Sequence, residues 1–381
     1  MKLLTILGAR PQFIKAAVVS RSIAKMQQFE EILVHTGQHY DFTMSEVFFE
    51  ELGIPVPTYH LGVGGLAHGA MTGRQLEKIE KILLEEKPDW VLVYGDTNST
   101  LAGTLAAIKL NIPVAHIEAG LRSFNRKMPE EHNRVLTDHA ADLLFSPTPT
   151  ATAHLIREGI PEKRIKQVGD VMYDAALLFG PLAAEKSKLL TKLSFSQGAF
   201  ILATIHRAET TDNPKLLQRI LRALQQSPLP VVLPLHPRTH KKVSPKVLDH
   251  PNLHVIEPVG YLDMIALEQA ATLIATDSGG VQKEAYFHGK PCLTLRTETE
   301  WTELLDAGWN RLAPLNSVKS IVDSINQTLN TQGKPINVFG NGTSSQLILQ
   351  SLLAEKIVKI EYIFRFFIKN LRLNFILSVQ S

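Results

Sequence analysis

The chain has 381 residues, 44% hydrophobic and 20% charged, a balance typical of folded proteins rather than disordered segments. Because a single hydrophobic core rarely grows beyond about 250–300 residues, this length predicts two domains. The 40 basic and 37 acidic side chains leave a net charge of +3, too small to indicate a nucleic-acid-binding protein. The single cysteine, Cys292, excludes an intramolecular disulfide and is typical of a cytoplasmic protein.

No segment has the pattern of a targeting or membrane-spanning sequence. The apolar run at residues 1–7 is short and has no small-residue cleavage site after it, so we expect a buried first strand rather than a signal peptide. No stretch reaches the ~20 charge-free apolar residues of a transmembrane helix. Residues 357–381 come nearest, but charges interrupt them.

Short apolar runs alternate with longer helical patterns in the first half of the chain. The predicted strands are Leu3–Leu7, Glu31–His35, Asp89–Tyr94, Pro113–Ile117 and Asp142–Ser146. The predicted helices are Pro11–Met26, Thr72–Glu86, Ser99–Leu110 and Glu130–Ala141. This alternation predicts right-handed crossovers and a parallel sheet.

The same alternation returns in the second half. The predicted strands are Phe200–Ile205, Val231–Leu235, Leu253–Ile256, Thr272–Ala275 and Cys292–Leu295. The predicted helices are Pro214–Gln226, Tyr261–Ala270, Gly280–His288 and Val318–Leu329. We therefore predict two α/β domains, at residues 1–170 and 171–356, followed by a basic aromatic tail at 357–381. The lysine-rich stretch 185–197 is expected to be a connection inside the second domain.

Ligands of open parallel sheets bind beyond the carboxyl ends of the strands, so polar residues at strand ends are the site candidates. Gly8 follows the first strand and permits a sharp turn, and Pro11 suits the first position of a helix. Arg10 and Lys15 place two positive charges near this helix start, which suits an anion site. A capped helix with basic surface residues is the alternative.

Three carboxylates of the first half also stand at strand ends or helix starts. Asp96 follows a strand together with residues 97–99, which gives one helix four candidate caps and favours a site role for at least one. Glu118 ends the next strand, where an acid is rarely a packing choice. Glu131 lies in a first helical turn, where the helix dipole alone would favour an acid. A functional interpretation requires all three to converge.

The second half offers a histidine and a glycine pair. His206 ends a strand and is placed to donate to a phosphate or to transfer a proton. The free amides of a glycine-rich helix start predict an anion site, most simply for phosphate, at Ser278, Gly279 and Gly280. Glu284, one turn later, can accept hydrogen bonds from a ribose, so the combination indicates a nucleotide. An ordinary serine-capped helix is the alternative.

Several other kinds of site are not indicated. The chain has no G-x-x-x-x-G-K-[ST] phosphate loop and no G-x-S-x-G nucleophile elbow. Gly62-Val63-Gly64-Gly65 does not complete a dinucleotide fingerprint, and H-E-x-x-H and cysteine metal clusters are missing. We therefore expect neither a cofactor nor a metal. Cys292 heads an apolar run and is expected to be a buried strand residue.

These segments together resemble the non-hydrolysing UDP-N-acetylglucosamine 2-epimerases over roughly residues 1–350. The matching runs are Gly8-Ala9-Arg10-Pro11-Gln12, Gly95-Asp96-Thr97-Asn98-Ser99, His116-Ile117-Glu118-Ala119-Gly120-Leu121-Arg122, Pro129-Glu130-Glu131, Asn133-Arg134, His206-Arg207-Ala208-Glu209 and Asp277-Ser278-Gly279-Gly280. The resemblance implies a GT-B-like fold, in which two doubly wound Rossmann-like domains close a cleft on a UDP-sugar. It also implies a homodimer and a role in making precursors of surface polysaccharides.

The family inverts C2 of the sugar by eliminating UDP to a 2-acetamidoglucal and adding it back. By matching position, the catalytic group is Asp96, Glu118, Glu131 and His206. The resemblance leaves open which carboxylate removes the C2 proton and which returns it. Three clustered carboxylates are expected to raise one another's proton affinity and keep one protonated near neutral pH.

The resemblance also implies the substrate contacts. Arg10, His206 and the amides of Ser278, Gly279 and Gly280 look like the diphosphate binders, with Glu284 on the uridine ribose. Lys15 matches a substrate contact of the family, and Met264 stands where some members place an aromatic residue near the uracil. No nicotinamide cofactor is implied.

Departures from the family pattern bear on the sugar. Trp301 replaces a cation that is expected to touch substrate, and Thr210 replaces a frequent Asn. The runs Val281–Ala285 and Thr299–Trp301 resemble a branch that epimerises UDP-2,3-diacetamido-2,3-dideoxyglucuronate, which is the alternative substrate. A non-catalytic nucleotide-sugar-binding protein is the alternative of a different class, and the presence of all three carboxylates argues against it.

The whole net charge of +3 lies in the tail at 357–381. There Glu361, Arg365, Lys369 and Arg372 are spaced for one helical stripe surrounded by aromatic and aliphatic residues. A helix lying on a membrane surface fits this pattern. Docking on the protein, or an extension without function, is favoured over it, so deletion of the tail is expected to leave activity intact.

Overall fold

The computed structural model describes residues 1–38 and 49–355, so the predicted tail lies outside the described residues. The first half forms a parallel sheet of seven strands in the order β3-β2-β1-β4-β5-β6-β7. These strands are β1 (Lys2–Leu7), β2 (Glu30–His35), β3 (Tyr59–His60), β4 (Trp90–Tyr94), β5 (Val114–Ile117), β6 (Leu143–Ser146) and β7 (Ile165–Gln167).

The second half forms a parallel sheet of six strands in the order β10-β9-β8-β11-β12-β13. These strands are β8 (Ile201–Thr204), β9 (Val231–Pro234), β10 (Leu253–Ile256), β11 (Leu273–Thr276), β12 (Cys292–Thr294) and β13 (Asn310–Leu312). Cys292 is fully buried, as expected for a strand residue, and burial raises the pKa of its thiol to about 12.

Helices connect the strands and cover both sheets. In the first half they are α1 (Arg10–Ala24), α2 (His68–Glu86), α3 (Asn98–Lys109), α4 (Pro129–Ala140) and α5 (Pro149–Arg157). Next come α6 (Val171–Lys186), α7 (Leu189–Leu193), α8 (Ala208–Thr211), α9 (Pro214–Gln225), α10 (Pro237–His240), α11 (Pro245–Leu248), α12 (Tyr261–Ala270), α13 (Gly279–Phe287), α14 (Thr302–Asp306), α15 (Val318–Thr328) and α16 (residues 344–355).

The central strands are largely apolar because helices bury both faces of each sheet. In β1, Leu3 and Leu7 belong to one hydrophobic cluster, whereas Leu4 and Ile6 belong to the cluster on the opposite face. This is the period of two expected of a strand. The predicted fold class, two doubly wound α/β units, is therefore confirmed at the level of sheet topology.

The chain passes between the halves twice. Helix α6 contacts α1 from the first half and α12 and α13 from the second. At its far end the chain returns, and Ile348, Leu349 and Leu352 of α16 are buried in the same cluster as Leu3 of β1. The predicted boundary near residue 170 falls just before α6, and it stays a prediction. The stretch 185–197, predicted as a connection, contains the short helix α7.

All ten predicted strands and all eight predicted helices are present, with ends that differ by a few residues. The short edge strands β3, β7 and β13 and the helices α5, α6 and α16 were not predicted. Edge strands of two or three residues carry too little apolar pattern to detect. Helix α6 is apolar on every side and contains Pro181, so it has no clear amphipathic period.

Candidate functional site

The candidate site lies where the strand order of each sheet reverses, between β1 and β4 and between β8 and β11. Such reversal points are where open α/β sheets bind ligands. A cleft of about 810 Å³ opens there and is lined from both halves of the chain. Arg10 contributes from the first half, and His206, Met264, Ser278 and Glu284 contribute from the second.

Glu118 occupies the turn that follows β5, with a backbone φ of +72° that a non-glycine residue rarely adopts. Its carboxylate forms an ion pair with Lys15 of α1 and lies 3.9 Å from the ammonium nitrogen of Lys283. Burial alone would raise the pKa of Glu118, but Lys15, Lys283 and Arg134 together lower it. The expectation that clustered carboxylates raise one another's proton affinity is therefore wrong at Glu118, because cations lie among them.

Asp96 follows β4 on the neighbouring strand. The cap of α3 is Thr97, whose hydroxyl accepts from the amide of Thr100, so the Asp96 side chain is not used as a cap. Instead it pairs with the guanidinium of Arg134, and its backbone carbonyl accepts from Asn133 at 2.9 Å. The Asp96 side chain remains 32% exposed, which leaves it accessible to a ligand.

Glu131 lies in the first turn of α4 with both carboxylate oxygens occupied. One accepts from the amide and hydroxyl of Ser123 at 3.0 Å and from Arg134 at 2.9 Å, and the other accepts from the amide of Phe124 at 2.9 Å. With its side chain only 3% exposed, Glu131 holds a loop and Arg134 in place. The structure therefore joins Asp96 and Glu131 through Arg134.

A second set of contacts from α4 fixes the two strand-end turns. Asp138 accepts from the ring of His116 at 2.7 Å, from Arg122 at 2.7 Å and from the amide of Gly120 at 3.1 Å. The other ring nitrogen of His116 lies 2.7 Å from the carbonyl oxygen of Gly95, next to Asp96. The ring of His116 therefore connects α4 to the turn that precedes Asp96.

The first strand-end loop is held by Gln12, which the sequence analysis did not single out. Its amide oxygen accepts from the backbone of Gly8 at 2.8 Å, and its amide nitrogen donates to the carbonyl of Tyr94 at 2.8 Å. A Cβ at Gly8 would collide with neighbouring side chains, and its φ is not positive. Close packing, rather than the sharp turn expected, therefore requires this glycine.

Arg10 reaches from the start of α1 to the second half of the chain, where it donates to the carbonyl of Val259 at 2.9 Å. Burial lowers the pKa of Arg10, although nearby Glu284, Glu51 and Glu268 favour the charged form. A guanidinium with its charge so poorly hydrated is ready to bind an anion in the cleft.

The glycine-rich helix start differs in one respect from the expectation. The amide of Ser278 is not free, because it donates to the hydroxyl of Thr276 at 2.9 Å. Among the described residues, the amides of Gly279 and Gly280 have no hydrogen-bond acceptor within α13 or outside it. Of the three amides expected to be open at the start of this nine-residue helix, two are, and Gly280 lines the cleft.

His206 lies opposite this helix start. Asp277 is fully buried and accepts from the backbone amides of His206 and Arg207 at 3.0 Å, which fixes the loop after β8. The His206 side chain is 37% exposed and packs against the ring of His236, with 5.2 Å between ring centroids. Its enclosure in the cleft and the cations Arg207, Arg10 and Arg238 outweigh Asp277 and lower the pKa of His206.

Glu284 and Met264 line the same cleft. Glu284 is 4% exposed and has one carboxylate oxygen without a hydrogen-bond partner among the described residues. Burial raises the pKa of Glu284 even though Tyr261, Lys283 and Arg10 favour its charged form. An acceptor with an unused oxygen suits the ribose role expected of it. Met264 on α12 is buried beside it and offers an apolar surface.

Trp301 is buried and does not replace the missing cation with a polar contact. Its ring lies 4.2 Å beneath the ammonium of Lys283, which also pairs with Asp170 at 2.5 Å. Lys283 and Asp170 are candidate site residues that were not predicted from the sequence. The signal that could have indicated Lys283 is a lysine on the buried face of a helix with a glycine-rich start.

Across residues 1–38 and 49–355, no three His, Cys, Asp or Glu side chains converge as a metal-binding group would. In that same part of the chain, no helix has the length and apolarity needed to cross a bilayer.

The model of the UDP-N-acetylglucosamine 2-epimerase family matches residues 21–353. A UDP-N-acetylglucosamine 2-epimerase homolog of Methanococcus maripaludis is 54% identical over 92% of this chain and 99% of its own length. A UDP-2,3-diacetamido-2,3-dideoxy-D-glucuronate 2-epimerase of Pseudomonas aeruginosa is 53% identical over the same shares. The solved structure of the Methanocaldococcus jannaschii UDP-GlcNAc 2-epimerase, in complex with UDP-GlcNAc and UDP, superposes with a TM-score of 0.87 at 43% identity, over 93% of this chain and all of that one. The chain belongs to the UDP-N-acetylglucosamine 2-epimerase family.

Proposed function

We propose that this chain is a non-hydrolysing UDP-sugar 2-epimerase that interconverts UDP-GlcNAc and UDP-ManNAc. One observation carries the proposal. The carboxylate of Glu118 lies 3.9 Å from Lys283 of α13, the helix that starts with the two open amides. Asp96 pairs with Arg134, whose guanidinium lies 3.9 Å from Glu300 beside Gly279 at that helix start. A proton-transfer group and a diphosphate site on opposite sides of one cleft are what the reaction requires.

The reaction breaks two bonds of the sugar and later restores them. One carboxylate accepts the C2 proton, the C–H electron pair forms a C1–C2 double bond, and the C1–O bond breaks with its pair leaving on UDP. The products of this half are UDP and a 2-acetamidoglucal. Addition of UDP at C1 and return of a proton to the opposite face of C2 then give the epimer. Asp96 and Glu118 suit these proton transfers, because positioned acids and bases accelerate such steps ~10²–10⁴-fold.

The diphosphate leaving group gains one negative charge when the C1–O bond breaks, and groups at the cleft can stabilise it. The amides of Gly279 and Gly280 point from a helix start, and Arg10 and His206 line the same cleft. Donors arranged in advance stabilise charge that develops in the transition state without reorganising. Glu284 suits the ribose, Met264 the uracil, and Lys15 a contact to the sugar beside Glu118.

Glu131 is better suited to support than to proton transfer. Its two oxygens already accept four hydrogen bonds from the 123–124 loop and Arg134. With its side chain only 3% exposed, this carboxylate is held in place by the protein and shielded from a ligand. We therefore propose that Glu131 positions Arg134, and through it Asp96.

UDP-2,3-diacetamido-2,3-dideoxyglucuronate is a second candidate substrate. The Pseudomonas aeruginosa relative that acts on this sugar is 53% identical to the chain. Trp301 stands where the family pattern has a cation, and in this chain Lys283 supplies a cation above the Trp301 ring. The C2 chemistry is identical for both sugars, so the choice affects the substrate and not the mechanism.

We also propose that the protein is a cytoplasmic homodimer with domains at residues 1–170 and 171–356. A UDP-sugar is the ligand that draws the two domains together. Sedimentation analysis with and without UDP-GlcNAc tests the dimer, since a monomer at micromolar concentration would contradict it.

Exchange of the C2 hydrogen tests the function. The protein is incubated with UDP-GlcNAc in deuterated water, and C2 is followed by NMR. We expect deuterium at C2 together with UDP-ManNAc signals. Recovery of undeuterated UDP-GlcNAc, with exchange of the diacetamido uronate instead, would select the second substrate. No exchange of either sugar in a protein that binds UDP would favour the non-catalytic binding alternative.

A further inference from the structure

Lys283 links the two halves of the site through a single short helix. It lies on α13, one turn after Gly280, which lines the cleft. Its side chain is 1% exposed, and its ammonium nitrogen lies 2.5 Å from Asp170 and 3.9 Å from the Glu118 carboxylate. The helix whose start faces the diphosphate site therefore carries a cation to the carboxylate at the sugar site.

Trp301 fixes where this cation lies. The ammonium of Lys283 is 4.2 Å from the centre of the indole ring, which is itself only 2% exposed. The negative face of an aromatic ring attracts an ammonium, and the attraction is stronger when the ammonium is desolvated. Asp170 and Glu118 oppose the cost of burial and raise the pKa of Lys283, so the side chain stays charged. Three neighbours thus hold one rotamer of a flexible side chain.

The alternative is that Lys283 serves only to neutralise Asp170. The Asp170 carboxylate caps α6 by accepting from the amide of Met172 at 2.8 Å, so its charge has a structural use of its own. A plain structural pair requires one acid and one base. Here the ammonium lies near two buried carboxylates, and the second is Glu118, which ends a strand at the reversal point of the first sheet and has a strained backbone.

Every charged group that acts on Glu118 comes from a different element. Lys15 is on α1, Arg134 is on α4, Lys283 is on α13, and Asp170 precedes α6. Asp96 lies on the neighbouring strand end. Of the cations, only Lys283 belongs to the second half of the chain. Separation of the halves would therefore remove this cation from Glu118 and leave the others in place.

We propose that Lys283 is a positioning residue for Glu118, which it keeps ionised and oriented only while the two halves of the site are together. The role rests on the proposed function of Glu118 in C2 proton transfer. Because α13 carries both the diphosphate-facing amides and Lys283, occupation of the leaving-group site and readiness of the C2 carboxylate are coupled. The coupling prevents proton abstraction in an open cleft, where water would intercept the glucal.

The test variants remove the cation without leaving a buried charge. Lys283→Met alone strands Asp170, so it is paired with Asp170→Asn, which can still cap α6. The matched control is Lys81→Met with Glu77→Gln, which removes an exposed ion pair of α2 far from the cleft. Thermal unfolding of both proteins checks that the double variants fold.

The first readout does not depend on activity. Protein labelled with ¹³C at glutamate carboxyls is titrated by NMR in saturating UDP, and Glu118→Gln identifies the Glu118 signal. We expect the pKa of Glu118 to be about one unit higher in Lys283→Met/Asp170→Asn than in Asp170→Asn alone, because these two proteins differ only in the Lys283 cation and loss of a nearby opposite charge shifts a carboxylate by roughly 1–3 units. The Lys81→Met/Glu77→Gln control should match the wild type. An equal pKa of Glu118 in the folded double variant and in Asp170→Asn overturns the proposal.

The second readout is the pH profile of C2 deuterium exchange. Relative to Asp170→Asn, the acidic limb of the profile in the double variant is expected to move to higher pH by the same amount as the pKa of Glu118. The affinity of the double variant for UDP should stay within about twofold of the wild type. A lower rate with an unshifted profile would overturn the proposal and leave Lys283 a structural role. Absence of exchange in the wild type would refute the proposed function instead, and the NMR titration would still decide the role of Lys283.

Discussion

The two strand-end regions that face each other across the cleft are built in opposite ways. In the first half, Asp96 and Glu118 already have fixed cationic partners in Arg134 and Lys15. In the second half, the amides of Gly279 and Gly280 are free of partners among the described residues. The first region is complete without a ligand, whereas the second is arranged to receive one.

This difference follows from the chemistry each region would perform. Proton transfer at C2 needs a carboxylate whose position and ionisation are set before the substrate arrives. Diphosphate binding needs donors that give up little when the anion enters, and backbone amides at a helix start meet this need. The comparison predicts that activity depends most on the charge and position of the carboxylates in the first region. In the second region it depends most on the space left for an anion beside the helix amides.

The largest effect is expected from neutralising the first region. Asp96→Asn and Glu118→Gln should each reduce C2 exchange by about 10³-fold, because each removes a positioned acid or base. UDP affinity should change less than threefold, since the diphosphate contacts belong to the second region. Deuterium incorporation and calorimetric titration with UDP measure the two quantities. Loss of UDP binding in either variant would mean that the chemistry has been assigned to the wrong side of the cleft.

Glu300 joins the two regions, and its replacement should affect stability. It contacts Arg296 at 2.9 Å, Arg207 at 3.5 Å and Arg134 of the first half at 3.9 Å. Burial would raise the pKa of Glu300, but these guanidiniums lower it from 4.5 to about 2. A lowered pKa gives stability that is complete above pH 4.5 and is lost as pH falls toward 2.

Glu300→Gln should therefore lower the free energy of unfolding at pH 7 by about 3 kcal/mol. The difference from the wild type should shrink below pH 4.5 and vanish near pH 2. Urea unfolding across this pH range measures it. The control is Glu77→Gln on the exposed face of α2, which should leave stability unchanged. A difference that persists at the lowest pH would show that packing, and not charge, is what Glu300 provides.

A carboxylate added to the second region should have a smaller effect, which is a loss of affinity for UDP. A Cβ at Gly280 meets no atom closer than 4.0 Å, so a side chain there fits without strain. Gly280→Asp places a negative charge at the open amides and should weaken UDP binding by roughly 10- to 100-fold through repulsion. Gly280→Ala is the size control and should lose less than fivefold. Equal losses in both variants would mean that space, rather than charge, limits the site.

The contrast between the regions also explains what the sequence could predict. Runs such as Trp90–Tyr94 are apolar throughout, so both sheets and the strand-end positions of Asp96, Glu118 and His206 could be predicted from the pattern alone. The position of a carboxylate at a strand end requires no knowledge of its partners. Asp96 and Glu118 accordingly follow two adjacent strands, and His206 lines the cleft.

The partners themselves could not be predicted, because they come from distant parts of the chain. Lys283 reaches Glu118 across 165 positions, and Arg10 reaches Val259 across 249. Without these cations the clustered acids were expected to have raised pKa values, and the opposite holds at Glu118. The amide of Ser278 was expected to be free, yet a hydroxyl two residues earlier accepts its hydrogen. Charge state at this site is a tertiary property.

The smallest expected effect is a pH dependence of binding in the second region. The pKa of His206 is lowered in the free protein by its enclosure and by Arg207, Arg10 and Arg238. A bound diphosphate would favour the imidazolium and raise that pKa, so binding should take up a proton when the pH lies between the two values. Affinity for UDP should therefore fall as pH rises through this interval, by at most tenfold per pH unit.

Calorimetry in buffers of different ionisation enthalpy measures the proton uptake directly. His206→Gln keeps a hydrogen-bond donor and cannot titrate, so the uptake it shows belongs to UDP and the remaining groups. The difference between wild type and His206→Gln should be a fraction of one proton at pH values between the free and bound pKa of His206, and should approach zero at higher pH, where His206 is neutral with or without UDP. Identical uptake in both proteins would place the ring outside the diphosphate contact. The diphosphate would then be bound by Arg10 of the first half and by the helix amides.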